Sequence, residues 1–138
     1  MARRDAIHNP VKNALIKDGW TITADPYRII YKDIFVEADL KADKLIVATR
    51  QNRSIVIEVK SFLKKSFINE FASSCGQYQT YVHLLRAKGQ SEEVYMAVSD
   101  EVYRRYFQLN GVQLLVKSFE LHLVIVDTER EEIVQWIN

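Results

Sequence analysis

Glu58 and Lys60 are the residues whose types and spacing point most directly to chemistry. They interrupt residues 54–60, an otherwise β-branched run typical of a strand that is covered on both faces. Ionised groups in such a strand lose hydration, which costs several kcal/mol unless other groups compensate them. Because the two residues are two positions apart, their side chains share one face of the strand. The end of this strand is therefore the candidate functional site.

Asp43 is predicted to complete the cluster. Residues 43–60 are expected to form a β-hairpin that reverses around residues 51–53, which brings Asp43 close to Lys60. Two carboxylates at such short range favour a bound divalent cation, and oxygen ligands suit Mg²⁺ or Mn²⁺. Asp39 is the second choice for the first carboxylate of the site, because in a strand it would lie ~13 Å from the Asp43 position.

The same residues are also compatible with a site that has no metal. In that alternative, Glu58 forms an ordinary salt bridge with Lys60 or with a neighbour on an edge strand. The residue pattern alone leaves both interpretations open.

The helices that must position these residues follow from apolar spacing and capping signals. A first helix is predicted over residues 3–18, either kinked at Pro10 or beginning only near residues 9–10, and Gly19 ends it. His8, on the approach to this helix, is expected to be a surface or capping residue. Ser66 is predicted to cap a long helix that ends near residue 88. This helix carries Gln77, which is within reach of the charged end of the hairpin.

The remaining elements follow from alternating apolar residues and turn signals. Strands are predicted over residues 20–23, 27–30, 34–37, 93–98, 121–127 and 133–137, with the second and third either separate or one bent strand. A helix is predicted to run from a cap at residue 99 or 100 to about residue 108, where residues 110–111 break it. Residues 112–119 form a further short helix or a strand.

Length and composition indicate one globular domain over residues 1–138. The chain is 48% hydrophobic and 27% charged, and it has a single cysteine, Cys75, which excludes an intrachain disulfide. It contains no signal peptide and no run of about 18 apolar residues. The expectation is a cytoplasmic protein without a membrane span.

The charge distribution favours a polyanionic partner near the hairpin. The net charge is only +1, but residues 41–65 hold seven Lys or Arg against two acids, whereas residues 118–138 hold one Arg against five acids. Lys41, Lys44, Lys64 and Lys65 are therefore the candidate DNA-binding residues. For any single one of them, a solvated surface position is the alternative.

The order of elements and motifs resembles the restriction-endonuclease-like PD-(D/E)XK fold. Its motif is an acid, a variable gap and then (D/E)-x-K, which here falls on Asp43, Glu58 and Lys60, followed by a helix that carries Gln77. Ala42 stands where the motif has proline.

Across nearly the whole chain, the sequence is similar to the XisH family, the fdxN-element excision controlling factors. The similarity is carried by H-N-P-V-K-N-A-L-I-K-D-G-W at residues 8–20, E-V-K-S-F at 58–62, G-Q-Y at 76–78 and I-V-Q-W-I at 133–137. The resemblance implies an α/β fold with a central mixed β-sheet flanked by helices.

For function, the resemblance implies a Mg²⁺- or Mn²⁺-dependent endodeoxyribonuclease site. In this mechanism Asp43, Glu58 and the Val59 carbonyl hold the metal, Lys60 orients the attacking water or stabilises the transition state, and Gln77 assists. The implied process is the excision or rearrangement of a DNA element beside a recombinase, together with a small companion protein of the XisI family. Monomer and homodimer are both compatible with the sequence.

A non-catalytic accessory factor is the alternative function. Such a factor controls a site-specific recombinase through DNA and protein binding, and fold alone does not decide between the two. A purely structural protein would leave the charged interruption of the strand unexplained.

Overall fold

The computed structural model describes residues 4–46, 48 and 51–138. The elements of these residues, in chain order, are α1 (His8–Lys17), β1 (Thr21–Ala24), β2 (Tyr27–Tyr31), β3 (Ile34–Ala38), β4 (Leu40–Ile46), β5 (Gln51–Val59), α2 (Phe67–Ala87), β6 (Glu93–Ser99), α3 (Asp100–Tyr106), α4 (Asn110–Ser118), β7 (Leu123–Asp127) and β8 (Glu132–Ile137).

Six of the strands form one mixed sheet in the order β1-β4-β5-β6-β7-β8. β1, β4 and β5 are antiparallel neighbours, β5, β6 and β7 are parallel, and β8 returns antiparallel to β7. Helix α2 joins β5 to β6, and α3 with α4 joins β6 to β7, because parallel strands need such crossover connections. The predicted α/β fold with a central mixed sheet flanked by helices is confirmed.

Strand β5 lies inside the sheet and is buried on both faces, as its β-branched run predicts. Ile55 and Ile57 belong to the core that α1 covers, whereas Val56 belongs to the core on the α2 side. Glu58 follows Val56 at the next position of the same face and is only 4% exposed. The strand therefore carries one carboxyl group into the layer between the sheet and α2.

Helix α2 begins and ends at the predicted signals. The Ser66 hydroxyl accepts a hydrogen bond from the Asn69 N–H at 3.3 Å, and Gly89 adopts a φ of +71° just beyond the last turn. Phe71, Tyr78 and Leu85 form the buried stripe that fixes this helix on the sheet.

Helix α1 is shorter than the predicted range 3–18. It begins at His8, directly after a turn in which the Asp5 carboxylate accepts a hydrogen bond from the Ile7 N–H and the Asp5 carbonyl accepts one from the His8 N–H, each at 3.0 Å. Pro10 lies in that first turn, where its missing N–H would have no helical partner. The alternative of a start near residues 9–10 is thus correct to within two residues.

The segment between β1 and β4 is a hairpin and not one bent strand. β2 and β3 form a separate two-stranded sheet with Tyr27 opposite Ala38 and Tyr31 opposite Ile34. Lys32 makes the turn with a φ of +51°. Ile29 and Ala38 bury the hairpin against the α2 side of the sheet.

The C-terminal half differs from the sequence prediction at one helix start. Residues 110–111, predicted to be a break, form the first turn of α4, and the helical alternative for the following residues is correct. Over the described residues, no helix is long and apolar enough to cross a membrane.

The α2 core should be more sensitive to truncation than the α4 surface. Leu85 is 1% exposed in α2 and Leu114 is 64% exposed in α4, so the two leucines form a matched pair in helices. Leu85→Ala should lower the free energy of unfolding by about 2–5 kcal/mol, because it leaves a cavity, whereas Leu114→Ala should change it by less than about 0.5 kcal/mol. Urea denaturation measures both, and equal losses would contradict this packing.

Candidate functional site

The register of the β4–β5 hairpin differs from the prediction. Leu40 lies opposite Ile57 and Asp43 lies opposite Ser54, so the chain reverses between Ile46 and Gln51. Residues 51–53, predicted to be the turn, belong to β5. Asp43 therefore faces Ser54, which lies four residues before Glu58 on β5, and it accepts a hydrogen bond from the Ser54 hydroxyl at 2.6 Å. The prediction that Asp43 meets Lys60 is wrong.

Residues 51–53 are polar and yet continue strand β5, and the contacts of Arg53 explain why. Its Nε donates to Glu93 at 3.0 Å and its Nη2 donates to the Tyr95 hydroxyl at 2.8 Å, so its charge is paired with the neighbouring strand β6. Its guanidinium group also lies 5.7 Å from the centre of the Trp20 ring. These partners stabilise an extended conformation where polarity alone suggests a turn.

Asp39, the reserve candidate, is the acid that lies beside Glu58. It occupies the bend where the chain passes from β3 into β4, and its N–H donates to the Ile57 carbonyl at 3.1 Å. Its carboxylate accepts a hydrogen bond from the Val59 N–H at 2.7 Å and lies close enough to Glu58 for its negative charge to raise the pKa of that group. The first acid of the cluster is thus Asp39, held by the main chain of β5, in place of Asp43.

Glu58 contacts three polar groups in a nearly dry environment. Its Oε2 lies 3.3 Å from the Lys60 Nζ, and its Oε1 lies 2.9 Å from the Tyr81 hydroxyl. Its third partner is Asp39. The Glu58–Lys60 ion pair of the metal-free alternative is therefore present, but one ammonium group faces two carboxyl groups.

The pKa values of both carboxyl groups are raised. Burial, and then the negative charge of Asp39, raise the pKa of Glu58 to about 7, and Lys60 and Tyr81 offset this only in part. Burial also raises the pKa of Asp39, although the Val59 N–H acts in the opposite direction. A proton shared by the two carboxyl groups balances their charge near neutral pH.

Tyr81 is a site residue that the sequence analysis missed, since only packing was expected of it. Its single hydroxyl hydrogen lies within reach of two acceptors, Glu58 Oε1 and the Glu37 carbonyl at 3.0 Å. The hydroxyl can donate to only one of them at a time, and when it donates to Glu58 it favours the carboxylate and opposes the rise in the pKa of Glu58. The sequence did contain an indication of this role. Tyr81 lies four residues after Gln77, so the two are neighbours on one face of the helix.

Lys60 also faces a groove of about 500 Å³ at the start of α2. The groove is lined by Lys64, Lys65 and Gln77, among others, so the long helix brings Gln77 to the same opening as Lys60. The other two candidate lysines lie elsewhere. Lys41 pairs with Glu92 and Lys44 pairs with Asp18, each at 3.6 Å.

His8 is not the surface or capping residue that the sequence suggested. It is 3% exposed, and its Nε2 lies 2.9 Å from an Asp25 oxygen. The sequence contained no spacing that would pair residues 8 and 25, because the turn after β1 brings them together.

The donor set at the acid pair fits a hard divalent cation. Asp39 and Glu58 supply carboxylate oxygens, and a cation would replace the proton that they share. Within the described part of the chain, no three His, Cys, Asp or Glu side chains come together in an arrangement that could hold a metal ion. Any further ligands must therefore come from the main chain or from water, as is common for Mg²⁺.

Fold and site together define a mixed α/β protein with a pair of acids, of which Glu58 is buried, and a lysine at the end of a central strand. The family model described as XisH protein matches residues 1–134. The chain belongs to the XisH family.

Two solved structures support this assignment. An XisH family protein from Nostoc punctiforme PCC 73102 is 36% identical, with a TM-score of 0.88 over 97% of this chain and 100% of that chain. An fdxN element excision controlling factor protein from Anabaena variabilis is 38% identical, with a TM-score of 0.87 over 98% and 100% of the two chains. No curated protein matches the sequence.

The raised pKa of Glu58 makes the stability of the metal-free protein depend on pH. An ordinary glutamic acid loses its proton near pH 4.5, whereas folded Glu58 retains it up to about pH 7. The protonated carboxyl therefore stabilises the fold fully below pH 4.5, and this contribution is lost as the pH rises through 7. The free energy of unfolding should fall by about 2–4 kcal/mol over this window.

The Glu58→Gln variant isolates this effect. It keeps the shape of the side chain without its titration, so urea denaturation in EDTA at pH 5 and pH 8 should show most of the fall missing. At pH 8 the variant should be at least as stable as the parent. A loss of about 3–5 kcal/mol in the variant at pH 8 would instead indicate a structural ion pair with Lys60.

Proposed function

We propose that this protein is a divalent-cation-dependent, nuclease-like protein that acts on DNA. The observation that carries the proposal is the pair formed by the buried Glu58 and the partly buried Asp39, which has one lysine as counter-charge and lies beside a groove lined by Lys60, Lys64 and Lys65. Asp39, directly before β4, and Glu58-x-Lys60, at the end of the antiparallel neighbour β5, agree with the acid, gap and (D/E)-x-K order of restriction-endonuclease-like proteins. This agreement supports the same fold assignment for this chain, with Asp39 in place of Asp43.

The cation, Mg²⁺ or Mn²⁺, would be held by the carboxylates of Asp39 and Glu58 and by the Val59 carbonyl. When bound, it would lower the pKa of a water molecule and neutralise charge on the scissile phosphate. The protein supplies rigidity, because the Val59 N–H fixes Asp39 and the Tyr81 hydroxyl fixes Glu58. Ligands held in this way need little rearrangement on binding.

Lys60 is the residue best suited to act on the phosphate. Its side chain is 21% exposed, so the ammonium group is partly desolvated yet reaches the groove. A cation in such an environment stabilises the negative charge that develops on the phosphate oxygens more strongly than it would in water. Gln77, which lines the same groove, is proposed to assist by orienting the attacking water.

The groove beyond Lys60 suits the DNA backbone. Lys64 and Lys65 supply positive charge, and the N-terminal turn of α2 adds the positive end of its helix dipole. Neither lysine forms an ion pair in the described part of the chain with an acid as close as those of Lys41 and Lys44. We therefore assign DNA contact to Lys64 and Lys65 before the other two.

The biological setting is proposed from family membership. The relative from Anabaena variabilis is described as an fdxN element excision controlling factor, and we infer that this chain likewise takes part in controlling the excision of a DNA element. The closed Glu58–Lys60 ion pair favours a second candidate, a non-catalytic accessory factor. Such a factor would act on a recombinase together with a companion protein of the XisI family.

Replacement of each candidate first acid tests the nuclease proposal. Mg²⁺ or Mn²⁺ should raise the melting temperature of the parent, because at a hundredfold excess over Kd a ligand adds about 2.7 kcal/mol to the folded state. Asp39→Asn should abolish this rise, together with metal-dependent cleavage of duplex, single-stranded or branched DNA. Asp43→Asn is the matched control and should retain both.

Two results would contradict this assignment. A loss of the metal response in Asp43→Asn but not in Asp39→Asn would return the first acid to Asp43. A parent protein with neither a metal response nor cleavage of any DNA form would favour the accessory factor.

The groove assignment predicts different effects for two pairs of lysines. The double variant Lys64→Ala/Lys65→Ala should weaken DNA binding and lower the slope of log K against log salt by about 2, since two phosphate contacts are lost. The double variant Lys41→Ala/Lys44→Ala removes the same charge and should leave the slope nearly unchanged. Fluorescence anisotropy in EDTA between about 50 and 200 mM salt measures both, and equal slopes would contradict the assignment.

A further inference from the structure

The loop between β5 and α2 exposes an apolar side chain next to the lysines of the groove. Leu63 is 75% exposed, the highest value of any large hydrophobic residue in the described part of the chain. Single exposed leucines are common on protein surfaces, so exposure alone indicates no role. Leu63 differs from an ordinary surface leucine in two respects, namely how firmly its main chain is held and which charges lie beside it.

The residues before Leu63 are anchored in the fold. The Asp5 carboxylate accepts hydrogen bonds from the Ser61 N–H at 3.0 Å and from the Ser61 hydroxyl at 3.1 Å. Phe62 is 5% exposed, and its ring centre lies 5.0 Å from that of Phe67. Its φ of +53° is a left-handed conformation that bulky residues rarely adopt. Buried contacts therefore fix this conformation, and the next side chain, Leu63, is left in solvent.

The chain after Leu63 is held as well. The Lys64 N–H donates to the Glu70 carboxylate at 3.3 Å, and one residue beyond Lys65 the Ser66 hydroxyl caps α2. A side chain whose main chain is fixed on both sides loses little conformational freedom on binding. Leu63 is thus an apolar side chain presented by an ordered turn.

Positive charge lies on both sides of Leu63. Lys60 comes three residues before it, Lys64 and Lys65 follow it directly, and all three lysines line the groove of about 500 Å³. Among the described residues that line the groove, Glu70 is the one acid. An apolar side chain at the edge of a basic groove is complementary to duplex DNA, which has a negative backbone and stacked apolar bases.

The recessed position of the acid pair is a further reason to expect that bound DNA is bent. Glu58 is 4% exposed, and the Lys60 side chain is 21% exposed. Duplex DNA is stiff over the length of such a groove. A phosphate therefore reaches a recessed site more easily where the duplex is kinked, and apolar side chains that enter between base pairs produce such kinks.

We propose that Leu63 is a wedge that enters between two base pairs of DNA held along this groove, so that the protein prefers duplex DNA with a weakened base step, such as one beside a mismatched pair. This inference rests on the DNA groove proposed above and names the form of DNA that the groove takes. The preference arises because unstacking requires less free energy where base pairing is already disturbed.

Three variants separate the wedge from the groove. Leu63→Ala removes the wedge, whereas Leu63→Met keeps an apolar side chain of similar volume. Leu45→Ala is the matched control, because Leu45 is 59% exposed beside Lys44 and pairs with Asn52, six residues before Glu58 on β5. At ~3.3 Å per residue it lies ~20 Å from the acid pair. Since both leucines are exposed, each variant should melt at the temperature of the parent.

Two DNA duplexes in EDTA are the probes, one fully paired and one with a single mismatched pair, each with 2-aminopurine as the neighbouring base. Fluorescence anisotropy gives Kd, and 2-aminopurine fluorescence rises when that base unstacks. The parent should bind the mismatched duplex about tenfold more tightly and raise its fluorescence. Leu63→Ala should reduce the preference to less than about twofold and abolish the rise. Leu63→Met and Leu45→Ala should behave as the parent does.

The salt dependence distinguishes the wedge from the phosphate contacts. Leu63→Ala should keep the parent's slope of log K against log salt, because its lysines are intact. If the parent binds DNA without preference, or if Leu63→Ala keeps both the preference and the fluorescence rise, Leu63 is not a wedge, although the groove stands.

Two further results would overturn the inference. If Leu63→Ala leaves the mismatch preference unchanged but abolishes self-association in analytical ultracentrifugation, Leu63 belongs to an interface between two copies of the chain. If the parent binds neither duplex, this inference and the proposed DNA groove fall together.

Discussion

The placement of two carboxyl groups beside a single ammonium group is the constraint on which the site depends. Glu58 is almost fully buried and Asp39 is partly buried, so burial acts against the ionised form of both groups. Lys60 balances only one of them, so a proton or a cation must balance the other. Hydrogen bonds from the Val59 N–H to Asp39 and from the Tyr81 hydroxyl to Glu58 hold one oxygen of each carboxyl group in place.

Several elements converge to create this constraint, and each does so for a local reason. The chain leaves the β2–β3 hairpin at Asp39, and the Asp39 carboxylate satisfies the Val59 N–H near the end of β5. Helix α2 is fixed by its buried stripe and places the Tyr81 hydroxyl beside Glu58. Helix α1 is tied to Ser61 through Asp5. The position of the acid pair therefore depends on the β2–β3 hairpin, α1 and α2 as well as on the β4–β5 hairpin.

The sequence predicts the parts of this arrangement that depend on local pattern. The buried strand with Glu58 and Lys60, the Ser66 cap of α2 and the order of helices and strands all follow from apolar spacing and capping residues. The choice between Asp39 and Asp43 depends on the register of the β4–β5 hairpin. Arg53 stabilises the extended conformation of β5 through its contacts with Glu93 and Tyr95 on β6. Tyr81 and His8 were missed for the same reason, since their partners are distant in sequence and come together only in the folded chain.

The pKa of Glu58 links the two possible states of the site. A carboxyl that keeps its proton up to about pH 7 must release it before it can bind a cation, so proton and cation compete for one position. At pH 7 the protonated and ionised forms of Glu58 are about equally populated. The Asp39 carboxylate has a structural role, because it accepts the hydrogen bond of the Val59 N–H. Its charge also raises the pKa of Glu58 and so works against the Glu58–Lys60 ion pair, which a salt bridge kept only for stability would not require.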